Sequence, residues 1–262
     1  MASSPPVIHP TVRLGATQRV DRWWLPPLTV VLGLSALGGY ATWAILQGNN
    51  YFVAPYLSPF YSPCLTVQCP EEIRMIGLTW WPLSPAILMM GAILGFRGTC
   101  YYYRKAYYRA FFADPVACAV EEHRGTKYRG ENSFPWIIQN AHRYFLYLSI
   151  IILAFLWYDT AHAFIFDGRF GIGLGSIVLL ANVCLLTGYL FGCHSLRHLL
   201  GGRTDCYSCV HFAGPRHRTW RTLSIFNRNH MFWAWTSLVC VCLADLYVRL
   251  LAMGVLTDLR LI

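Results

Sequence analysis

The sequence predicts an all-α membrane protein: a bundle of five transmembrane helices with the N-terminus in the cytoplasm and the C-terminus outside. Three observations carry this expectation. Of the 262 residues, 56% are hydrophobic and only 13% charged, against about 25% charged in a soluble domain. Five apolar stretches each approach the roughly 20 residues that a helix needs to cross a hydrocarbon core. Lysine and arginine collect in two of the four connections between those stretches.

Residues 1–25 are read as a cytoplasmic N-terminal segment carrying Arg13, Arg19 and Arg22 together with Pro5, Pro6 and Pro10. No small-residue cleavage site follows the first apolar run, so that run reads as a retained helix and not a signal peptide. The membrane domain spans 26–262, with helices near 26–46, 76–96, 137–158, 171–198 and 229–253. The second contains Trp80-Trp81-Pro82-Leu83-Ser84-Pro85, with prolines in the first turns, where a missing N–H costs least. Tyr101-Tyr102-Tyr103, Trp233 and Trp235 read as belts at the membrane interfaces.

The connection after the second helix holds Arg97, Arg104, Lys105, Arg109, Arg124, Lys127 and Arg129, and the stretch after His194 holds Arg197, Arg203, Arg216, Arg218, Arg221 and Arg228. The other two connections hold little more than Arg74 and Arg169. Cations favour cytoplasmic loops, which sets the orientation. The formal charge of +9 is therefore mostly a topology signal and not a nucleic-acid footprint, with part of it free to face an acidic partner or membrane lipid. The chain has no P-loop, no nucleophile elbow, no internal repeat and no matched pair of broken helices. NTPase, hydrolase and inverted-repeat transporter readings thus find no motif.

Cys64 and Cys69 fall in the first outer loop, where a disulfide is permitted. The other eight of the ten cysteines fall in helices or on the cytoplasmic side, where disulfides are not expected. Cys184, Cys240 and Cys242 read as small packing residues.

One stretch concentrates metal-ligand chemistry at the end of an apolar run: Gly192-Cys193-His194-Ser195-Leu196-Arg197-His198, followed by Asp205-Cys206-Tyr207-Ser208-Cys209. His194 and His198 are four residues apart and share one helix face, while Cys206 and Cys209 form a CxxC able to clamp a metal. His142 opens the third helix and His230 the fifth, so all four histidines approach the cytoplasmic leaflet. The candidate ligands are His194, His198, Cys206 and Cys209, with His230 the first replacement for either histidine and Cys193 for either cysteine. Ligand type leaves open tetrahedral zinc, a Rieske-type 2Fe-2S cluster, and haem b between paired histidines. The CxxC argues weakly against haem, where thiols at that spacing have no role.

A second polar set lies toward the outer face. Tyr158, Asp159 and His162 end the third helix, Asp245 and Arg249 occupy the outer half of the fifth, and Trp80 and Trp81 enter the second. Asp245 and Arg249 can pair on one helix face. Alternatively the set forms a quinone pocket, which needs apolar walls, donors for carbonyl oxygens and a titratable group.

The segment Phe191-Gly192-Cys193-His194-Ser195-Leu196-Arg197-His198 resembles the His-x-x-x-Gly-x-Arg-His run in membrane anchors of succinate dehydrogenase, respiratory complex II. Where such anchors carry a haem-binding histidine, seven residues before His198, this chain has Phe191, a departure from ordinary haem b. Over most of its length the chain resembles the single-subunit anchor of an actinobacterial complex II. Asp-Cys-Tyr-Ser-Cys, Asn-His-Met-Phe-Trp-Ala-Trp and Ala-Asp-Leu-Tyr-Val-Arg-Leu carry that resemblance alongside the five helices. It implies a haem-free anchor with a Rieske-type cluster in the bacterial plasma membrane, passing electrons to menaquinone or ubiquinone. It also implies a flavoprotein partner that oxidises succinate and an iron–sulfur partner that delivers electrons, with no dicarboxylate site on this chain. Two other readings stay open: a haem b cytochrome using pairs among His142, His194, His198 and His230, and a non-redox scaffold or transporter with structural zinc.

Overall fold

The computed structural model describes residues 13–113, 115–121, 132–134 and 136–262. Pro5, Pro6 and Pro10 of the N-terminal segment, and the cations Arg124, Lys127 and Arg129 used for orientation, lie outside the described residues.

Among the described residues the chain forms eight α-helices and two short hairpins. Proline and glycine set the limits of the first helix: α1 (Leu25–Gln47) starts with prolines in its first turn and stops at Gly48, whose φ of 64° is left-handed. The outer loop that follows holds the hairpin β1 (Phe52–Val53) and β2 (Tyr56–Leu57), a 3₁₀ turn at Pro59–Tyr61 and a disulfide joining Cys64 to Cys69.

α2 (Pro85–Gly98) has 14 residues and starts well after the expected position 76. Residues 76–84 belong instead to the outer loop, where Gly77 takes a φ of 84° and Leu78 bridges to Thr66. Pro85 lacks the N–H that an earlier helix start would require and so opens the helix. At about 1.5 Å per residue α2 is about 21 Å long. Four other stretches are long and apolar enough to cross a membrane: Leu25–Gln47, Trp136–His162, Leu174–Phe191 and His230–Ala252.

α3 (Tyr101–Phe111) and α7 (Ala213–Arg228) are basic helices outside those spans that the hydropathy pattern did not single out. α4 (His142–His162) is followed by the hairpin β3 (Ile165–Phe166) and β4 (Arg169–Phe170), and then by α5 (Leu174–Phe191). The continuous fourth helix expected over 171–198 is broken. Gly192 caps α5, Cys193 is extended, and the short α6 (His194–Leu200) begins on a new axis. α8 (His230–Ala252) closes the bundle and packs along α5, which packs on α4, which packs on α2.

In lipid, helices associate through close contact and hydrogen bonds, since excluding water no longer drives them together. Gly95 shows the consequence, because any side chain there would run into the Phe145 ring on α4. The outward faces remain apolar, with Leu148, Ile151, Leu180 and Leu243 all exposed. A helix that is apolar on its outward as well as its inward face suits a bilayer.

Candidate metal centre

Four side chains gather where four helices begin. Cys100 lies between α2 and α3 with an extended backbone, φ −66° and ψ 127°. Cys193 repeats that conformation between α5 and α6, φ −64° and ψ 128°. An extended residue between two helices directs its side chain off both helix surfaces, and here both thiols enter the core, 5% and 2% exposed. His142 and His230 are the first residues of α4 and α8.

His142 Nε2 lies 3.3 Å from Cys193 Sγ, and His230 Nε2 lies 3.3 Å from Cys100 Sγ. Cys100 and Cys193 belong to one buried cluster, and the rings that stack on the two imidazoles, Phe96 and Tyr189, lie 5.5 Å apart, which makes the pairs one group. Thr99 Oγ1 sits 2.9 Å from His142 Nδ1 and orients that ring. Phe96 stacks on His142 with centroids 4.9 Å apart, and Tyr189 stacks on His230 at 5.1 Å. His230 Nδ1 is buried without a hydrogen-bond partner. Its position depends on Gly192, where a Cβ would stand 2.8 Å from that nitrogen.

Two buried thiols, the buried His142 imidazole and the partly buried His230 imidazole, without a carboxylate, match the donor set of a Rieske-type two-iron cluster. A single tetrahedral ion fits less well: among the described residues no three His, Cys, Asp or Glu side chains converge on one point. A porphyrin between the histidines fits poorly too, since Phe96, Tyr103 and Tyr189 fill the surrounding space as one apolar cluster with both cysteines.

The residues first expected as ligands are not brought together. The break at Cys193 turns His194 to the outside, where its Nδ1 accepts a hydrogen bond from Arg197 at 3.1 Å. His198 Nδ1 accepts from Arg143 at 3.3 Å. Cys206 and Cys209 are bonded to each other across the 3₁₀ turn Tyr207–Cys209, which holds their Cα atoms 5.4 Å apart. This corrects the expectation that the eight cysteines besides Cys64 and Cys69 are unpaired. The replacement candidates Cys193 and His230 do join the group. Cys100 is not among the sequence-expected ligands, although Gly98-Thr99-Cys100 resembles Gly192-Cys193 in placing a cysteine just past a glycine at the end of an apolar helix.

Beside the group lies a largely apolar cavity of about 110 Å³ between α1, α2, α4, α5 and α8. Ala41, Phe60, Ile93 and Leu153 contribute to its walls, together with Ser149, while Arg97 and Tyr189 form its boundary toward the cysteine–histidine group.

None of the seven outer residues expected around a quinone lines this cavity. Asp245 and Arg249 are 0% and 2% exposed and pair at 2.7 Å. Asp245 also accepts from Tyr40 and Ser58, and Arg249 donates to the carbonyls of Ala44 and Asn49. Asp159 accepts from Ser62, the Tyr158 ring lies against His162, and Trp80 lies edge-on to Trp81. The polar atoms that the expected pocket would offer are thus largely engaged with neighbours, many of them tying α8 and α4 to the outer loop.

Residues 25–254 match the family model described as actinobacterial succinate dehydrogenase subunit SdhC. Among solved structures, a chain of the Mycobacterium smegmatis Sdh1 complex in the apo form is similar: 43% identical, with a TM-score of 0.85 and 94% of each chain covered. No curated protein matches. The helical membrane architecture agrees with that match, and the chain belongs to the actinobacterial SdhC family, the membrane anchors of succinate dehydrogenase.

Proposed function

We propose that this anchor carries electrons from the iron–sulfur subunit of succinate dehydrogenase to a membrane quinone through a Rieske-type 2Fe-2S cluster held by Cys100, Cys193, His142 and His230. The observation that carries the reading is the meeting of two Cys–His contacts, each 3.3 Å, from four different helix starts. When bound, such a cluster supplies a one-electron relay whose potential is raised by imidazole ligation.

The chain's own residues prepare that site. The N-terminal ends of α3, α4 and α8 point positive dipole ends at it, which suits a centre that carries negative charge. Thr99 orients the His142 ring, while Phe96 and Tyr189 cover the imidazole faces and keep water away. The adjoining cavity receives the quinone ring, with Ser149 as a hydroxyl donor and Tyr189 as the wall shared with His230. Either menaquinone or ubiquinone satisfies these requirements. The outer set around Asp159, His162, Asp245 and Arg249 is disfavoured as a quinone pocket, because most of its polar atoms are already engaged.

In this reading the chain crosses the bacterial plasma membrane five times, α2 being the shortest crossing, with its N-terminus inside and its C-terminus outside. The cysteine–histidine group then lies on the cytoplasmic side with the basic helices α3 and α7, facing a water-soluble iron–sulfur partner. Succinate oxidation itself belongs to the flavoprotein partner.

The test is a double substitution, His142→Ala with His230→Ala, in the assembled complex. The Rieske-like paramagnetic signal and quinone reduction are expected to disappear, while succinate oxidation by a soluble dye continues. Survival of the signal in that variant, with its loss in His194→Ala/His198→Ala, would overturn the assignment.

A further inference from the structure

Arg97, the penultimate residue of α2, carries a positive charge into the bundle at membrane depth, where an unpaired charge is costly. Among the described residues its hydrogen bonds go only to neutral groups. Nη1 donates to Tyr103 Oη at 2.6 Å and to the Ala234 carbonyl at 3.3 Å, and Nη2 donates to Ser237 Oγ at 3.0 Å. No carboxylate among the described residues forms an ion pair with it. The buried acid Asp245, about two helix turns beyond Ser237 on α8, is taken by Arg249.

What Arg97 does face is the cysteine–histidine group. Its Cζ stands 4.7 Å from the centroid of the Tyr189 ring, and that same ring stacks on His230 at 5.1 Å. The Cys100 thiol and the His230 imidazole are both within electrostatic reach of the guanidinium. The Arg97 carbonyl also accepts the Cys100 N–H at 3.2 Å, so the cation and the cysteine ride on one short backbone link.

We propose that Arg97 is the counter-charge of the centre held by Cys100, Cys193, His142 and His230, stabilising its reduced form and so holding its reduction potential up. This rests on the two-iron reading of that group. Uptake of one electron makes such a centre more negative by one charge. A fixed cation nearby stabilises the reduced form more than the oxidised one, and in a low-dielectric interior the difference is large. The electron comes from the partner iron–sulfur subunit and leaves to quinone, so Arg97 exchanges neither proton nor electron. It is a positioning residue that acts through charge.

The experiment is a redox titration of the assembled complex followed by electron paramagnetic resonance, on wild type, Arg97→Gln, Arg97→Lys and Ser237→Asp. Removing the charge in Arg97→Gln is expected to lower the midpoint, raising the oxidised-to-reduced ratio at fixed applied potential at least about tenfold, or about 59 mV for one electron. Arg97→Lys keeps the charge and should retain most of the wild-type value. Ser237→Asp leaves Arg97 in place but neutralises it from 3.0 Å away, and should lower the midpoint in the same direction even if Arg97→Gln fails to assemble. An unchanged midpoint in Ser237→Asp or in assembled Arg97→Gln overturns the proposal, as does an Arg97→Lys midpoint as low as that of Arg97→Gln. Absence of any Rieske-like signal from wild type is a different result, and it overturns the two-iron reading itself.

Discussion

His142 Nε2 and Cys193 Sγ meet at 3.3 Å although 51 positions separate them in the chain. One opens α4 and the other is the single extended residue between α5 and α6. The contact therefore depends on where two helices stop and start, and it disappears if α5 simply continues through Gly192.

The two cysteine pairs should separate cleanly by chemistry. Cys206→Ser/Cys209→Ser is expected to retain the iron content and Rieske-like signal of the complex, while Cys100→Ser or Cys193→Ser loses that signal and lowers the iron content by about two atoms per complex, the partner's iron remaining. The four-residue loop closed by Cys206 and Cys209 contributes only roughly 2 kcal/mol of chain entropy. Iron analysis beside a thermal melt reads both effects, and loss of iron in the Cys206/Cys209 variant would restore those thiols as ligands.

Filling the cavity tests its role in quinone binding. Ala41→Phe projects a ring into the space between α1 and its neighbours. If it costs about 1.4 kcal/mol of quinone binding, the KM for quinone rises about tenfold, while dye-linked succinate oxidation is unchanged. Trp80, exposed at the outer edge and away from the cavity, should tolerate Trp80→Ala with normal quinone turnover. The reverse pattern would move the quinone to the outer set.

Gly192 is required for a close approach. An alanine there would push on His230 Nδ1 at 2.8 Å and on the Gly188 and Phe226 carbonyls at 3.2 Å. Gly192→Ala is expected to shift the g-values of the centre or lower its occupancy, whereas Gly38→Ala, which meets nothing within 4 Å on α1, leaves the spectrum as it was.

The buried pair Asp245–Arg249 should behave as a structural clasp. Asp245→Asn leaves a buried guanidinium without its carboxylate, a change that costs about 3–5 kcal/mol in buried pairs. Lower thermal stability with an unaltered spectrum in the surviving complex is the expected outcome. Asp245→Leu/Arg249→Met should be less damaging than the sum of its single changes, which a double-mutant cycle measures. Normal stability of Asp245→Asn combined with lost quinone turnover would show that the pair serves catalysis.

By itself the sequence determined that this chain is helical and membrane-embedded and, through the run around Cys193, which family it belongs to. Composition and motif are local properties that survive without coordinates. Tertiary structure decided the rest. Hydropathy shows that a stretch is apolar but not where its helix axis breaks, so 171–198 reads as one helix and His194 with His198 as an inward face. The break at Gly192-Cys193 instead turns Cys193 inward and His194 outward. Residues 76–84 look like a helix start by apolarity, yet the backbone at Gly77 and the prolines commit them to the outer loop. Cys100 has no ligand-like neighbour in sequence, and its partner His230 lies 130 positions away. Side chains contributed by four separate helix starts converge only when the bundle packs, because each is placed by a backbone turn and not by a spacing that the sequence can display.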